Sequence, residues 1–116
     1  MTKQQYNDYI EALKARGYKF GGSWYTKPYY YKVIECRDNE YGDSMVACQL
    51  IFNIYKMEFS SGEAYYSIVP VVVVTRNASE RLDFTIGSPE RSVEECERLA
   101  KEFLRWVDIN IDIECN

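Results

Sequence analysis

The chain has 116 residues, a formal net charge of −4 and a hydrophobic fraction of 47%, the profile of one ordinary soluble globular domain that can bury a core without metals or disulfides. It contains eleven tyrosines and no histidine, which excludes Ser-His and Cys-His nucleophile systems and most catalytic zinc sites. Residues 1–58 carry 8 basic and 7 acidic side chains and residues 59–116 carry 6 and 11, an imbalance that disfavours nonspecific nucleic-acid binding and suits a basic partner.

The first residues, Met1-Thr2-Lys3-Gln4-Gln5, lead into no apolar run, so no secretory leader is expected and the cytoplasm is the default compartment. Thr2 and Gln5 predict a capping box, and Tyr6, Tyr9, Ile10 and Leu13 form one helical stripe behind it. Gly17 predicts the end of that helix, with Tyr18 folding back onto Leu13 and with Lys14 and Arg16 near its negative pole. Gly21-Gly22-Ser23 and Lys27-Pro28 are breaks. Strands are predicted at 29–36, 45–57, 64–75 and 81–86, with a hairpin turn at Ser60-Ser61-Gly62. The valine run in the third of these predicts burial on both faces, and Pro70 within it predicts a bulge. In the fourth, Leu82, Phe84 and Ile86 are assigned inward and Asp83 and Thr85 outward.

Ser92-Val93-Glu94-Glu95 opens a second helix, whose stripe comprises Val93, Cys96, Leu99, Ala100, Phe103, Trp106 and Val107. Its opposite side offers Glu94–Arg98 and Glu97–Lys101 at i, i+4 spacing. Residues 1–107 therefore read as one α+β domain, an antiparallel sheet of four to five strands with an N-terminal and a C-terminal helix on one face. Residues 108–116 alternate Ile109, Ile111 and Ile113 with polar positions, which predicts a C-terminal tail or edge strand able to join this sheet or pair a homodimer.

Candidate chemistry lies in three places. In the second long strand Val46, Cys48, Leu50, Phe52 and Ile54 share the core side and Gln49 and Asn53 the other, while in the preceding strand Tyr29, Tyr31 and Val33 share one face and Tyr30, Lys32 and Ile34 the opposite one, so the uncovered side shows tyrosines among the amides. An open face of aromatics and amides is a binding platform, although tyrosine also favours strands for packing alone. Trp24, Tyr25, Tyr29 and Tyr31 form the aromatic half of the candidate partner-binding site. The acidic half is Asp38, Glu40 and Asp43, whose spacing does not match a calcium loop and whose carboxylates could imitate phosphates. Third, Lys14, Arg16, Lys19, Lys27 and Lys32 interleave with aromatics between 14 and 32, as in single-strand nucleic-acid binding, or as lysines guarding strand edges.

The four cysteines, at 36, 48, 96 and 115, form no CxxC and read as reduced thiols, Cys96 in the core and Cys115 exposed. Asn77-Ala78-Ser79 matches a glycosylation sequon but reads as a turn. No GxSxG, Walker, GxGxxG or HExxH motif occurs, no cofactor or metal is implied, and no run is long enough to span a bilayer. The reading is a non-catalytic protein that binds another protein with a basic surface, with nucleic acid as the alternative ligand. In size, acidity, aromatic content and single α+β domain, the chain resembles small phage- or mobile-element-encoded inhibitors of bacterial defence nucleases, the anti-CRISPR type. Those inhibitors share no motif, so the resemblance assigns no residue a role. It implies an acidic surface that blocks a nucleic-acid channel or locks a mobile nuclease domain.

Overall fold

The computed structural model describes residues 1–22, 27–38, 45–76, 80–86 and 91–115, and the side chains at 37–38, 45–46, 76, 80 and 107–115 lie outside that description. Helix α1 (Lys3–Ala15) is followed by β1 (Lys19–Gly21), β2 (Tyr29–Asp38), β3 (Met45–Glu58), β4 (Ala64–Arg76) and β5 (Glu80–Thr85), and helix α2 (Val93–Cys115) closes the order. The five strands form one antiparallel sheet in chain order. The fold is the expected α+β arrangement of a sheet with an N-terminal and a C-terminal helix.

Local chemistry sets the ends of α1. The Thr2 hydroxyl accepts from the Gln5 N–H at 3.1 Å while the Gln5 side chain accepts from the Thr2 N–H at 2.9 Å, the reciprocal capping box. At the other end the Tyr18 N–H donates to the Leu13 carbonyl and the Gly17 N–H to the Lys14 carbonyl, both at 3.1 Å. This Schellman close requires the positive φ of 86° that Gly17 adopts.

The core lies on the even-numbered side of β3. Cys48, Leu50, Phe52 and Ile54 are buried there beside Tyr30 of β2 and Ile68, Val72 and Val74 of β4. Helix α1 contributes Tyr6, Ile10 and Leu13, and α2 contributes Val93, Cys96, Ala100 and Leu104. Phe52 is the meeting point, with its ring 5.7 Å from Tyr9 and 5.4 Å from Tyr18. A polar clasp joins the helices to this core. Arg16 donates to both carboxylate oxygens of Glu97 at 3.1 and 2.7 Å, and the Tyr18 hydroxyl donates to the same carboxylate at 3.0 Å. Lys32 of β2 closes the group, donating to the Arg16 carbonyl at 2.9 Å and lying 5.5 Å from the centre of the Tyr18 ring.

Several expectations are corrected. Glu94 and Glu97 pair with Arg16 across the helices rather than with Arg98 and Lys101, and Arg98 instead meets Glu102 at 2.9 Å. Leu104, absent from the predicted stripe, is a core residue, while Trp106 is exposed. Pro70 makes no bulge, because the β3–β4 register runs unbroken through Phe52 opposite Pro70. The irregularity lies in β2, between Val33 and Glu35. The Pro70 carbonyl accepts from the Ile86 N–H at 3.0 Å, which places the proline's missing donor on the side where β5 ends. The alternating tail is not an edge strand. Helix α2 runs to Cys115, and no glycine or proline interrupts residues 93–115, so an established helix propagates through an alternation only nine residues long. Strand pairing of a homodimer through that tail loses its basis.

The clasp predicts an acid sensitivity. Hydrogen bonds from Arg16, reinforced by Tyr18 against the opposing effect of burial, hold the Glu97 carboxyl below its ordinary range. A lowered folded pKa contributes stability that is complete above the ordinary carboxylate range and is lost as pH falls through the folded value. Glu97→Gln should therefore lower urea-unfolding stability at pH 7 by about 1–2 kcal/mol, discounted for the partial exposure of Arg16. Wild type and variant should converge as the titration is carried towards pH 3.

Candidate binding face

Because β-strand side chains alternate, the face opposite the core is as well defined as the core itself. Its central row crosses all five strands as Lys19, Tyr31, Ile51, Val71 and Thr85. The neighbouring rows are Gly21, Tyr29, Asn53 and Val69 on one side, and Val33, Gln49, Val73 and Asp83 on the other. A shallow depression of about 710 Å³ lies over these rows, with Tyr29, Tyr31, Gln49, Asn53, Arg81 and Asp83 among its walls. The valine run is split between the two faces. Val72 and Val74 are core, Val73 is buried on the open side and Val71 is half-buried. Towards the β3–β4 turn the same face continues with exposed Tyr55, Met57 and Tyr65, the last two being cross-strand partners.

Of the two tyrosine-bearing faces of this strand, the one with Tyr29 and Tyr31 is the open one, both half-buried and with ring centres 5.9 Å apart. Tyr29 lies across the backbone of Gly21, its register partner on β1. A Cβ at Gly21 would meet the Tyr29 ring, with its Cζ at 2.6 Å, so glycine is what permits the ring to cover the edge strand. Trp24, Tyr25, Glu40 and Asp43 lie outside the described residues. Asp38 ends β2 opposite Met45, which at about 3.3 Å per residue is roughly 23 Å along the strand from Tyr31. Of the acidic candidates, the backbone of Asp38 therefore lies well apart from the tyrosine pair along β2.

The basic and aromatic segment 14–32 is divided between the two sides of the sheet. Arg16 and Lys32 serve the clasp, Lys14 lies 3.5 Å from Glu11, and Tyr18 and Tyr30 are buried. Lys19 and Lys27 remain exposed beside the open face. The sequence reading missed Arg81 and Asp83, which form a 2.7 Å ion pair on this face. The outward assignment of Asp83 was the available signal, but its neighbours depend on a strand order that alternation does not encode. Leu82 and Phe84 do face the helix side, yet each stays about half exposed because the helices cover the edge incompletely.

A second cleft, of about 1020 Å³, runs between α1 and the start of α2, past Tyr9, Arg16, Tyr66 and Ser92. Several of its polar groups are engaged within the fold, Arg16 with Glu94 and Glu97 and the Tyr66 hydroxyl with Glu58. The Tyr9 hydroxyl donates to the Arg91 carbonyl at 2.8 Å, and burial and Cys96 raise its pKa. Among the described residues no group of three or more Cys, Asp or Glu is placed to hold a metal, and no helix is long and apolar enough to cross a membrane. Cys36 is exposed, Cys48 and Cys96 are buried, and none of the three is in a disulfide. Burial raises the Cys96 pKa above its ordinary value, which suits a packing role rather than a nucleophile. Comparison with known protein families, curated protein sequences and solved structures finds no match.

The packing of Tyr29 on Gly21 is testable. Gly21→Val should force the ring away, cost about 1–3 kcal/mol of stability and alter the near-ultraviolet tyrosine circular dichroism. The far-ultraviolet spectrum should remain that of the wild type. An unchanged near-ultraviolet signal would mean that Tyr29 does not lie on β1.

Proposed function

We propose that this protein is a non-catalytic binding protein whose partner, another protein, seats on the open face of the sheet. The observation that supports the reading is the row structure of that face. Two tyrosines, two amides and branched aliphatic side chains lie in register beside a few charges, the mixture of rigid aromatic anchors and orienting polar groups that protein interfaces use. Enzyme chemistry has less support, since among the described residues that line the depression there is no cysteine or serine and the one carboxylate, Asp83, is paired with Arg81. The nucleic-acid alternative loses weight because Arg16 and Lys32 are engaged in the fold, which leaves Lys14, beside Glu11, and Lys19 and Lys27 as the exposed cations of the segment.

The partner we propose has a basic surface, and an inhibitor of a nucleic-acid-processing defence nuclease is the specific form of this reading. Acidity is concentrated in α2, where seven carboxylates stand against three cations. The helix layer therefore carries charge suited to steering, and the sheet face carries the contact surface.

The test is recovery of partners from host lysate with three baits: wild type, the pair Tyr29→Ala/Tyr31→Ala, and the triple Asp38→Asn/Glu40→Gln/Asp43→Asn. The partner should survive nuclease treatment and should be lost with the tyrosine pair, for which a central aromatic anchor predicts about a thirtyfold or greater weakening. Wild-type recovery by the tyrosine pair, with its fold verified by circular dichroism, would remove the sheet face as the site. Loss confined to the triple variant would move the site to the acidic segment.

A further inference from the structure

Strand β5 is an edge, since β4 pairs with it on one side and no described strand pairs with it on the other. One hydrogen bond fixes the direction of its free backbone groups. The Ile86 N–H donates to the Pro70 carbonyl, so the even-numbered residues of β5 face β4 and the backbone groups of Arg81, Asp83 and Thr85 point outward. Beside this edge, on the helix side, lies an aromatic stack. Phe84 packs on Phe103 with ring centres 4.9 Å apart and planes 16° apart, and Phe103 packs on Trp106 at 5.9 Å and 13°. Leu82, Phe84 and Trp106 nevertheless remain 46%, 50% and 58% exposed.

Natural sheets protect such edges with proline, bulges or inward charges, because an unpaired edge is a template for another strand. The described part of β5 has no proline and no bulge. Of its three charged residues, Glu80, Arg81 and Asp83, the last two have opposite signs and sit two residues apart on the open face. That spacing is self-complementary. A two-fold axis perpendicular to the sheet through Leu82 sets Arg81 opposite Asp83 of a second copy, and Asp83 opposite Arg81 of that copy. These are the residues whose backbone groups point outward, so both pairs are hydrogen-bonded pairs, and the two Leu82 side chains meet at the axis. Shifting the register by two residues would place Asp83 against Asp83, which like charge disfavours.

We propose that the protein forms a homodimer through β5, with Leu82 on the two-fold axis. The Arg81–Asp83 ion pair exchanges within each chain for two between chains, and the exposed strip at Leu82 and Phe84 is covered by its own copy. The axis keeps all four helices on one side, so the two open faces join into a continuous ten-stranded surface. This interface uses the edge and not the face, so it stands or falls independently of the partner proposed above.

The test is solution mass by sedimentation over a concentration series. Wild type should reach twice the chain mass of 13.7 kDa. Arg81→Asp and Asp83→Arg each convert two attractive cross-strand pairs into repulsive ones, and each alone should weaken dimerisation about tenfold or more. An equimolar mixture of the two variants should restore a dimer holding one chain of each, a result that misfolded chains could not give. A wild type that stays at monomer mass throughout, a single variant that dimerises as well as wild type, or a mixture that stays monomeric would each overturn the proposal.

Discussion

A five-stranded antiparallel sheet has two faces, and this chain brings both of its helices to one of them. Most of the structure follows from that constraint. The covered side can bury Phe52, Leu50 and Cys48 completely, and the helices must be held tightly enough to keep water from it. Apolar packing alone has little direction, whereas the Arg16–Glu97–Tyr18 group fixes where α1 ends relative to α2. The same arginine carries the carbonyl that receives Lys32, so one residue ties both helices to β2. Three of the cations and aromatics that resemble a ligand site in the sequence are thereby used in holding the fold.

The uncovered side is left to solve its own solvation. Tyrosine suits that position, because its ring covers backbone and neighbouring aliphatic side chains while its hydroxyl stays wet. Tyr29 over Gly21 is the local example. Gln49 and Asn53 keep the middle of the face hydrated, and Val71 and Val73 lie between them and the edge. Charge is kept to the margins of the face, at Lys19 on β1 and the Arg81–Asp83 pair on β5, while Ile51, Val71 and Val73 fill its middle beside the tyrosines of β2.

Legibility in the sequence followed the range of the forces involved. The capping box at Thr2, the Gly17 close and the alternation of β3 are set by neighbours within a few residues, and each is visible in the chain. The open face followed from that alternation once two helices had been assigned to one side. Strand order, the roles of Arg81 and Asp83, and the meeting of Glu97 with Arg16 depend on residues far apart in sequence, and no local pattern carries them. Leu104 was passed over because the predicted stripe drifted towards Trp106, whereas the sheet beneath α2 selects the face it needs. The isoleucine alternation near the end was a true period of two, but Ile109 and Ile113 are also one helical turn apart. Propagation from the preceding helix decides such a segment, which a short window cannot register.

Pro70 links the two surfaces. It is buried in the middle of β4, where its ring packs as an ordinary apolar side chain and its missing donor is turned away from β3. On the other side β5 finds a carbonyl at this position but no N–H, and the strand stops at Thr85. Had β5 continued, it would have paired with Ile68 and Tyr66 and extended the free edge along the whole of β4. The proline instead confines that edge to six residues, short enough to resist indiscriminate pairing and just long enough to carry one arginine, one aspartate and a leucine between them. It also leaves the first half of β4 with β3 as its one strand partner among the described residues, so the β3–β4 hairpin extends past β5 with Tyr55, Met57 and Tyr65 on the open side. A single imino acid thus sets both the length of the edge and the reach of the face.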